Sequence, residues 1–241
     1  MLAVPTTYSG SEMTPVYGLQ EGGMKRTGRD MRVLPKVVIY DPELLAGLPA
    51  ANSAASGMNA MAHCIEALYA HDSNPVTSIV AEEGIRALAA SLPAVVKDPG
   101  NLDARGESLY GAWLAGMSLA SAGMALHHKL CHILGGSFNL PHAETHSVVL
   151  PHAVRYNRDA AKEAMARAAL ALGVADVPAG IYDIEANLGL KLALKDLGMK
   201  EADLDRAAKL ASENPYPNPA PLSFEGIRAL LDAAYHGRRP C

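Results

Sequence analysis

Gly123-Met124-Ala125-Leu126-His127-His128-Lys129-Leu130-Cys131-His132 closes an uncharged run that begins at Ser108, and Pro141-His142-Ala143-Glu144-Thr145-His146 follows shortly after. Six of the chain's nine histidines fall between His127 and His152. His128 and His132 stand four residues apart, as do His142 and His146, so on a helix each pair projects from one face, one turn apart. Imidazoles at that spacing can bind a metal, move a proton or polarise a carbonyl. The run from Ser108 to Leu126 approaches membrane-spanning length. It is diluted by Gly111, Gly116, Gly123 and three serines, and it leads straight into the histidines. It reads as a central helix surrounded by other helices, and no membrane span is expected.

The rest of the chain agrees with a helical body. Met58, Met61, Ala62, Ile65 and Leu68 recur at three- and four-residue steps, after capping candidates Asn52, Ser53 and Ser56. Asn59, His63 and Glu66 make a polar row on the same helix. Further helices are predicted near 76–91, 103–134, 142–156, 158–173, 179–196 and 201–212. A last one runs from Ser223, its expected N-cap, to Tyr235, beyond the breaker Asn214-Pro215-Tyr216-Pro217-Asn218-Pro219. Residues 1–42 look different. Leu2-Ala3-Val4, Thr14 to Gln20 and Val37 to Tyr40 read as strands around turn-rich Gly22-Gly23 and Thr27-Gly28-Arg29-Asp30. The fold class is therefore mainly α, with a short β-rich segment (1–42) ahead of an all-helical unit (43–241).

Composition narrows the function. The chain has 241 residues, 49% hydrophobic, and a formal net charge of -4, so it offers no basic footprint for nucleic acid. Cys64, Cys131 and Cys241 are odd in number and far apart, which argues against a disulfide framework and fits a reducing cytoplasm. Cys64 and Cys131 read as small buried apolar residues rather than nucleophiles. No signal peptide is expected at the N-terminus.

Asn59, His63, His128 and His142 form the candidate centre, three neutral imidazoles and one amide oxygen. Asn59 supplies no negative charge, so a divalent ion is expected to be held weakly. Without metal, the same imidazoles can still donate hydrogen bonds or protons to an oxyanion. The loop Thr6-Thr7-Tyr8-Ser9-Gly10-Ser11-Glu12 offers hydroxyls and a glycine after a strand, a setting that can contact phosphate. The glycine-rich strand–turn–helix of nucleotide-binding chains is not found in this sequence.

Pro5-Thr6-Thr7 through Gly10-Ser11-Glu12, Ser56-Gly57-Met58-Asn59-Ala60 with His63, and the His128/His132/Pro141-His142 block resemble the iron-containing alcohol dehydrogenase superfamily, in order along nearly the whole chain. Leu126 to His132, Pro141 to His146 and Asn214-Pro215-Tyr216 are similar to its maleylacetate-reducing branch. Metal-dependent members of the superfamily carry aspartate where this chain has Asn59, and glycine where it has Ala143. The resemblance implies the helical C-terminal domain of that fold, with 1–42 as a remnant of the α/β nucleotide-binding domain. It implies NADH or NADPH as hydride donor and a small dicarboxylate as substrate. Asn59, His63, His128 and His142 fall at the family's metal-ligand positions, for iron or zinc. His63, His128, His132 and His142 are the expected catalytic histidines, and Thr6, Thr7 and Ser11 face the cofactor. A homodimer is compatible with the resemblance. Lys129 and Arg155 are candidate cations for the substrate carboxylates. The strands and glycine loop expected ahead of Leu2 are not in the sequence, so the chain alone is expected to bind NAD(P)H negligibly and to be poorly soluble. Leu2-Ala3-Val4 is then expected to be an interior strand, buried on both faces.

Overall fold

The computed structural model describes residues 1–21, 24–213 and 216–241. Gly22-Gly23 and Asn214-Pro215 lie outside them. Four short strands come first. β1 (Leu2–Ala3) pairs in parallel with β4 (Val37–Val38), Leu2 against Val37. β2 (Val16–Glu21) and β3 (Met24–Arg29) form an antiparallel hairpin with Val16 opposite Arg29. Two expectations fail here. Thr27-Gly28-Arg29 is part of β3 and not a turn, because β2 supplies an antiparallel partner along its length. Leu2 is 57% exposed, not buried, since β1 has one neighbouring strand among the described residues and its outer face meets nothing.

Nine α-helices follow among the described residues: α1 (Ala50–Leu68), α2 (Pro75–Lys97), α3 (Leu102–Ser121), α4 (Leu126–Phe138), α5 (His142–Asn157), α6 (Lys162–Leu172), α7 (Val177–Asn187), α8 (Leu204–Ser212) and α9 (Phe224–His236). α1, α2 and α3 pack at close range. A Cβ on Gly57 of α1 would come within 2.4 Å of the Leu92 side chain in α2, so a larger residue there would force Leu92 to shift. One apolar cluster joins α1, α2 and α3 to parts of α5, α6 and α7; a second joins α4, α5, α8 and α9. The fold is that of a mainly helical unit.

Caps explain several boundaries. Asn74, Asn101, Asp176 and Ser223 each accept a backbone N–H from the first turn of α2, α3, α7 and α9. Ser223 is thus the N-cap its sequence suggests. Ser53 and Ser56, by contrast, lie inside α1, where Ser56 Oγ donates to Asn52 O at 2.7 Å. The largest departure from the sequence reading is at 103–134. That stretch is two helices, α3 and α4, broken at Ala122–Ala125 and bent by 97°. Ser108–Leu126 is therefore not one continuous helix, and α4 begins at the histidines.

Candidate active site

α1 brings Asn59 and His63 to the inner end of the bend, one helical turn apart, with both side chains buried. α4 supplies His127 and His128, and α5 supplies His146, all buried. The His63 and His128 rings stack with centroids 4.8 Å apart. His128 and His146 meet edge-on at 4.9 Å, and His146 meets His142 at 4.4 Å. His132 lies 6.2 Å from His128, ring edge to ring. The four histidines singled out from sequence are thus brought into one chain of ring contacts. His63 and His128 form its buried floor, while His132 and His142 lie on its exposed rim.

Polar atoms at this floor lack partners. Asn59 Oδ1, His63 Nδ1, His128 Nε2 and both ring nitrogens of His146 are buried with no hydrogen bond. A buried polar atom left unmatched costs about 1–3 kcal/mol, so such a concentration is typical of a site that receives a ligand. Burial first, and then the neighbouring imidazoles, hold His63, His128 and His146 well below the usual histidine range, so all three are neutral at physiological pH.

The remaining groups of the cluster are engaged. His127 Nε2 lies 2.9 Å from His146 O and donates to it. Glu66, fully buried on α1, places Oε2 2.6 Å from His128 Nδ1. Burial pushes the Glu66 carboxyl upward, and His127 with three backbone N–H groups pulls it back. Those N–H groups belong to Ala125, His127 and His128, at 3.1, 2.9 and 3.4 Å. Leu126 N donates to Asn218 Oδ1 at 3.3 Å. All four amides at the start of α4 are satisfied by two side chains from distant parts of the chain. Glu66, Asn218, His127 and His146 were not candidates in the sequence reading. The 59–66 polar row on α1 held a signal for Glu66, but its partners appear only once α4 begins at Leu126.

The hydroxyl loop sits beside this floor. Tyr8 N donates to Ser56 Oγ at 3.4 Å, one turn before Asn59 on α1. Gly10 has φ +74°, and a Cβ on Gly116 of α3 would lie 2.3 Å from Gly10 O, so two glycines let the loop rest on the helix. Fully buried Arg105 fixes the same corner, donating to Tyr8 OH (3.1 Å), Leu48 O (3.0 Å) and Pro99 O (2.7 Å). Thr6, Thr7 and Ser11 are exposed and line a surface depression of about 410 Å³. Cys64 and Cys131 are buried free thiols, pushed upward by burial.

The two cations considered for substrate carboxylates differ in place. Lys129 Nζ stands 5.5 Å over the Tyr216 ring, on the helix that carries His128 and His132. Arg155 donates to Cys241 O at 2.7 Å and lines an outer cavity with Arg238 and Arg239, away from the histidine floor.

The sequence profile for the C-terminal region of the Fe-containing alcohol dehydrogenase family matches residues 53–235, and the chain belongs to that family. A maleylacetate reductase from Burkholderia cepacia is 55% identical over 240 residues, 100% of this chain and 68% of that one. The crystal structure of maleylacetate reductase from Agrobacterium tumefaciens superposes with a TM-score of 0.96 at 51% identity, covering 99% of this chain and 68% of that one. A more distant neighbour, sulfoacetaldehyde reductase from Bifidobacterium kashiwanohense in complex with NAD+, gives 0.88 at 25% identity, covering 97% and 64%.

Proposed function

We propose that this chain forms the histidine site of an enzyme that reduces maleylacetate to 3-oxoadipate with NADH or NADPH. The observation that carries the reading is the cluster of unpartnered buried nitrogens on His63, His128 and His146, beside the exposed His132 and His142. The substrate is a dicarboxylate in which an alkene is conjugated to a ketone. A bound reduced nicotinamide supplies the hydride, which adds to the alkene carbon beta to the ketone. The alkene electrons then move to the ketone oxygen, giving an enolate. His63 and His142 donate hydrogen bonds to that oxyanion. The exposed rim imidazole of His132 delivers the one proton that the alpha carbon needs and takes its replacement from solvent. Lys129 faces one substrate carboxylate as a point charge. Thr6, Thr7 and Ser11, which line a depression on the loop tied to α1, would contact the coenzyme.

Asn59 Oδ1, His63, His128 and His142 are also the atoms that would hold a divalent iron or zinc ion, which would polarise the ketone oxygen. The unpartnered Asn59 Oδ1, His63 Nδ1 and His128 Nε2 fit such an ion. The set carries no negative charge, because both Glu66 oxygens are already taken, so the ion is expected to exchange freely.

Turnover tests the reading. Maleylacetate is offered with NADH or NADPH to a protein of family length that carries this chain, with and without chelator, and the product is identified by mass spectrometry. Formation of 3-oxoadipate that survives chelation supports the proposal, and its loss in His63→Ala locates the chemistry. Metal-dependent oxidation of simple alcohols with no maleylacetate reduction would overturn it.

A further inference from the structure

Glu66 touches His128 on the side away from the unpartnered Nε2, and its two oxygens hold the whole start of α4. Oε1 accepts His127 N at 2.9 Å and Tyr69 OH at 3.4 Å. Oε2 accepts Ala125 N and His128 N and lies 2.6 Å from His128 Nδ1. Four donors other than the His128 ring already point at the two oxygens, which favours the carboxylate over the carboxylic acid. A carboxylate at a helix N-terminus is also favoured by the helix dipole. The proton between the two side chains therefore sits on His128 Nδ1. That leaves Nε2 as a bare lone pair on the cleft side, where it is buried and without a partner. His127 completes the pattern. Its Nε2–H goes to His146 O, so its Nδ1, 3.3 Å from His128 Nδ1, can only accept. Two neighbouring rings thus agree on one assignment of protons.

We infer that Glu66 is a positioning residue that fixes His128 as its Nδ1–H tautomer and so presents the Nε2 lone pair to the cleft, while capping the helix that carries it. The inference rests on the reading above only in treating the histidine floor as the reacting site. A carboxylate on the far nitrogen is a recurrent way to orient an imidazole that must bind a metal or carry a proton. Here the same carboxylate also builds the helix end, so the orientation of His128 and the start of α4 are set by one group. A glutamine in this position cannot do both. Its oxygen can still accept from His127 N, but its NH2 faces the Ala125 and His128 amides and can only donate to His128 Nδ1, which forces the proton to Nε2.

The test is the His128 tautomer, read by long-range proton–nitrogen correlation in the full chain labelled with 15N, with His128→Gln to assign the ring. Wild type is expected to show Nδ1–H, Glu66→Gln to show Nε2–H, and Asn218→Ala, which removes the Leu126 cap and the bonds to Asn157 and Ala220 but leaves Glu66 in place, to keep Nδ1–H. Should Glu66→Gln fail to fold, Glu66→Asp keeps the charge but withdraws it, and both tautomers are then expected together. A wild-type Nε2–H tautomer, an unchanged tautomer in folded Glu66→Gln or in Glu66→Asp, or a switch in Asn218→Ala would each overturn the inference. With maleylacetate turnover in a protein of family length as a second readout, Glu66→Gln should lower kcat about a hundredfold with KM little changed, because Nε2 then carries a proton where the cleft is otherwise offered a lone pair. Wild type that lacks turnover but shows the tautomer pattern would sink the substrate assignment and leave this inference standing.

Discussion

Glu66 in α1 and Glu185 in α7 are both fully buried glutamates on helices, and the protein treats them in opposite ways. Glu66 is surrounded by donors: three backbone amides, a tyrosine hydroxyl and an imidazole. Neither oxygen of Glu185 has a hydrogen-bond partner, and burial alone pushes its carboxyl well above the usual range. The first is an anion that the fold is built around. The second is a neutral acid that the fold merely contains. Burial by itself does not mark a working carboxylate; the matching of its lone pairs does.

The comparison breaks most sharply at Glu66. Glu66→Ala orphans three backbone N–H groups at the start of α4 and the His128 Nδ1 at once, and should destabilise the chain by about 3–5 kcal/mol. In thermal unfolding that is a fall of about 10 °C for a chain of this size. A loss under 1 kcal/mol would show that the α4 amides find water instead. Glu185 should move the other way. Its folded pKa lies above the unfolded value, so the folded state holds a proton that the unfolded chain releases. Stability is then greatest below the unfolded pKa and declines as pH rises toward the folded pKa, by about 1.4 kcal/mol per pH unit. Glu185→Gln removes this slope. Denaturant unfolding at pH 5 and pH 8 should show the variant gaining on wild type at the higher pH, and equal curves at both would refute the neutral acid. His152 supplies an acid counterpart: burial, then Arg238, lowers it to about 4, so wild type should lose stability as pH falls from about 6.5 to 4, and His152→Gln should flatten part of that loss. The smallest effect is expected at Asn218. It caps Leu126 N, exchanges hydrogen bonds with buried Asn157 and donates to Ala220 O, so Asn218→Ala should cost about 2 kcal/mol by the same unfolding measurement.

The helical body was legible because its signals are local. Apolar steps along α1 and the cap at Ser223 are encoded within a few residues. The bend between α3 and α4 was not. Ala122-Gly123-Met124-Ala125 contains no proline and continues an apolar run, and what ends α3 there is tertiary: Asp72 Oδ1 takes Gly123 N at 2.8 Å, and Glu66 takes Ala125 N. Once that break is missed, Glu66 has no visible partner and stays an ordinary member of a polar row. The histidines at 63, 128, 132 and 142 could be singled out without it, because their spacing and the family resemblance do not depend on where α4 starts. His146 was visible only as the second member of a spaced pair. That its ring has no partner for either nitrogen is a property of packing, which sequence does not carry.

The start of α4 also bears on how the chain reaches this state. Its amides are satisfied by groups 59 to 62 residues earlier and 92 residues later. Closing loops of that length is entropically slow, whereas α1, α2 and α3 follow one another and can dock through near-neighbour contacts. The histidine site should therefore consolidate after the α1–α3 bundle, and a kinetic intermediate would hold Glu66 on a formed helix with nothing yet to cap. Hydrogen exchange would see this order directly, with the amides of Ala125 to His128 gaining protection later than those of α1 and α2.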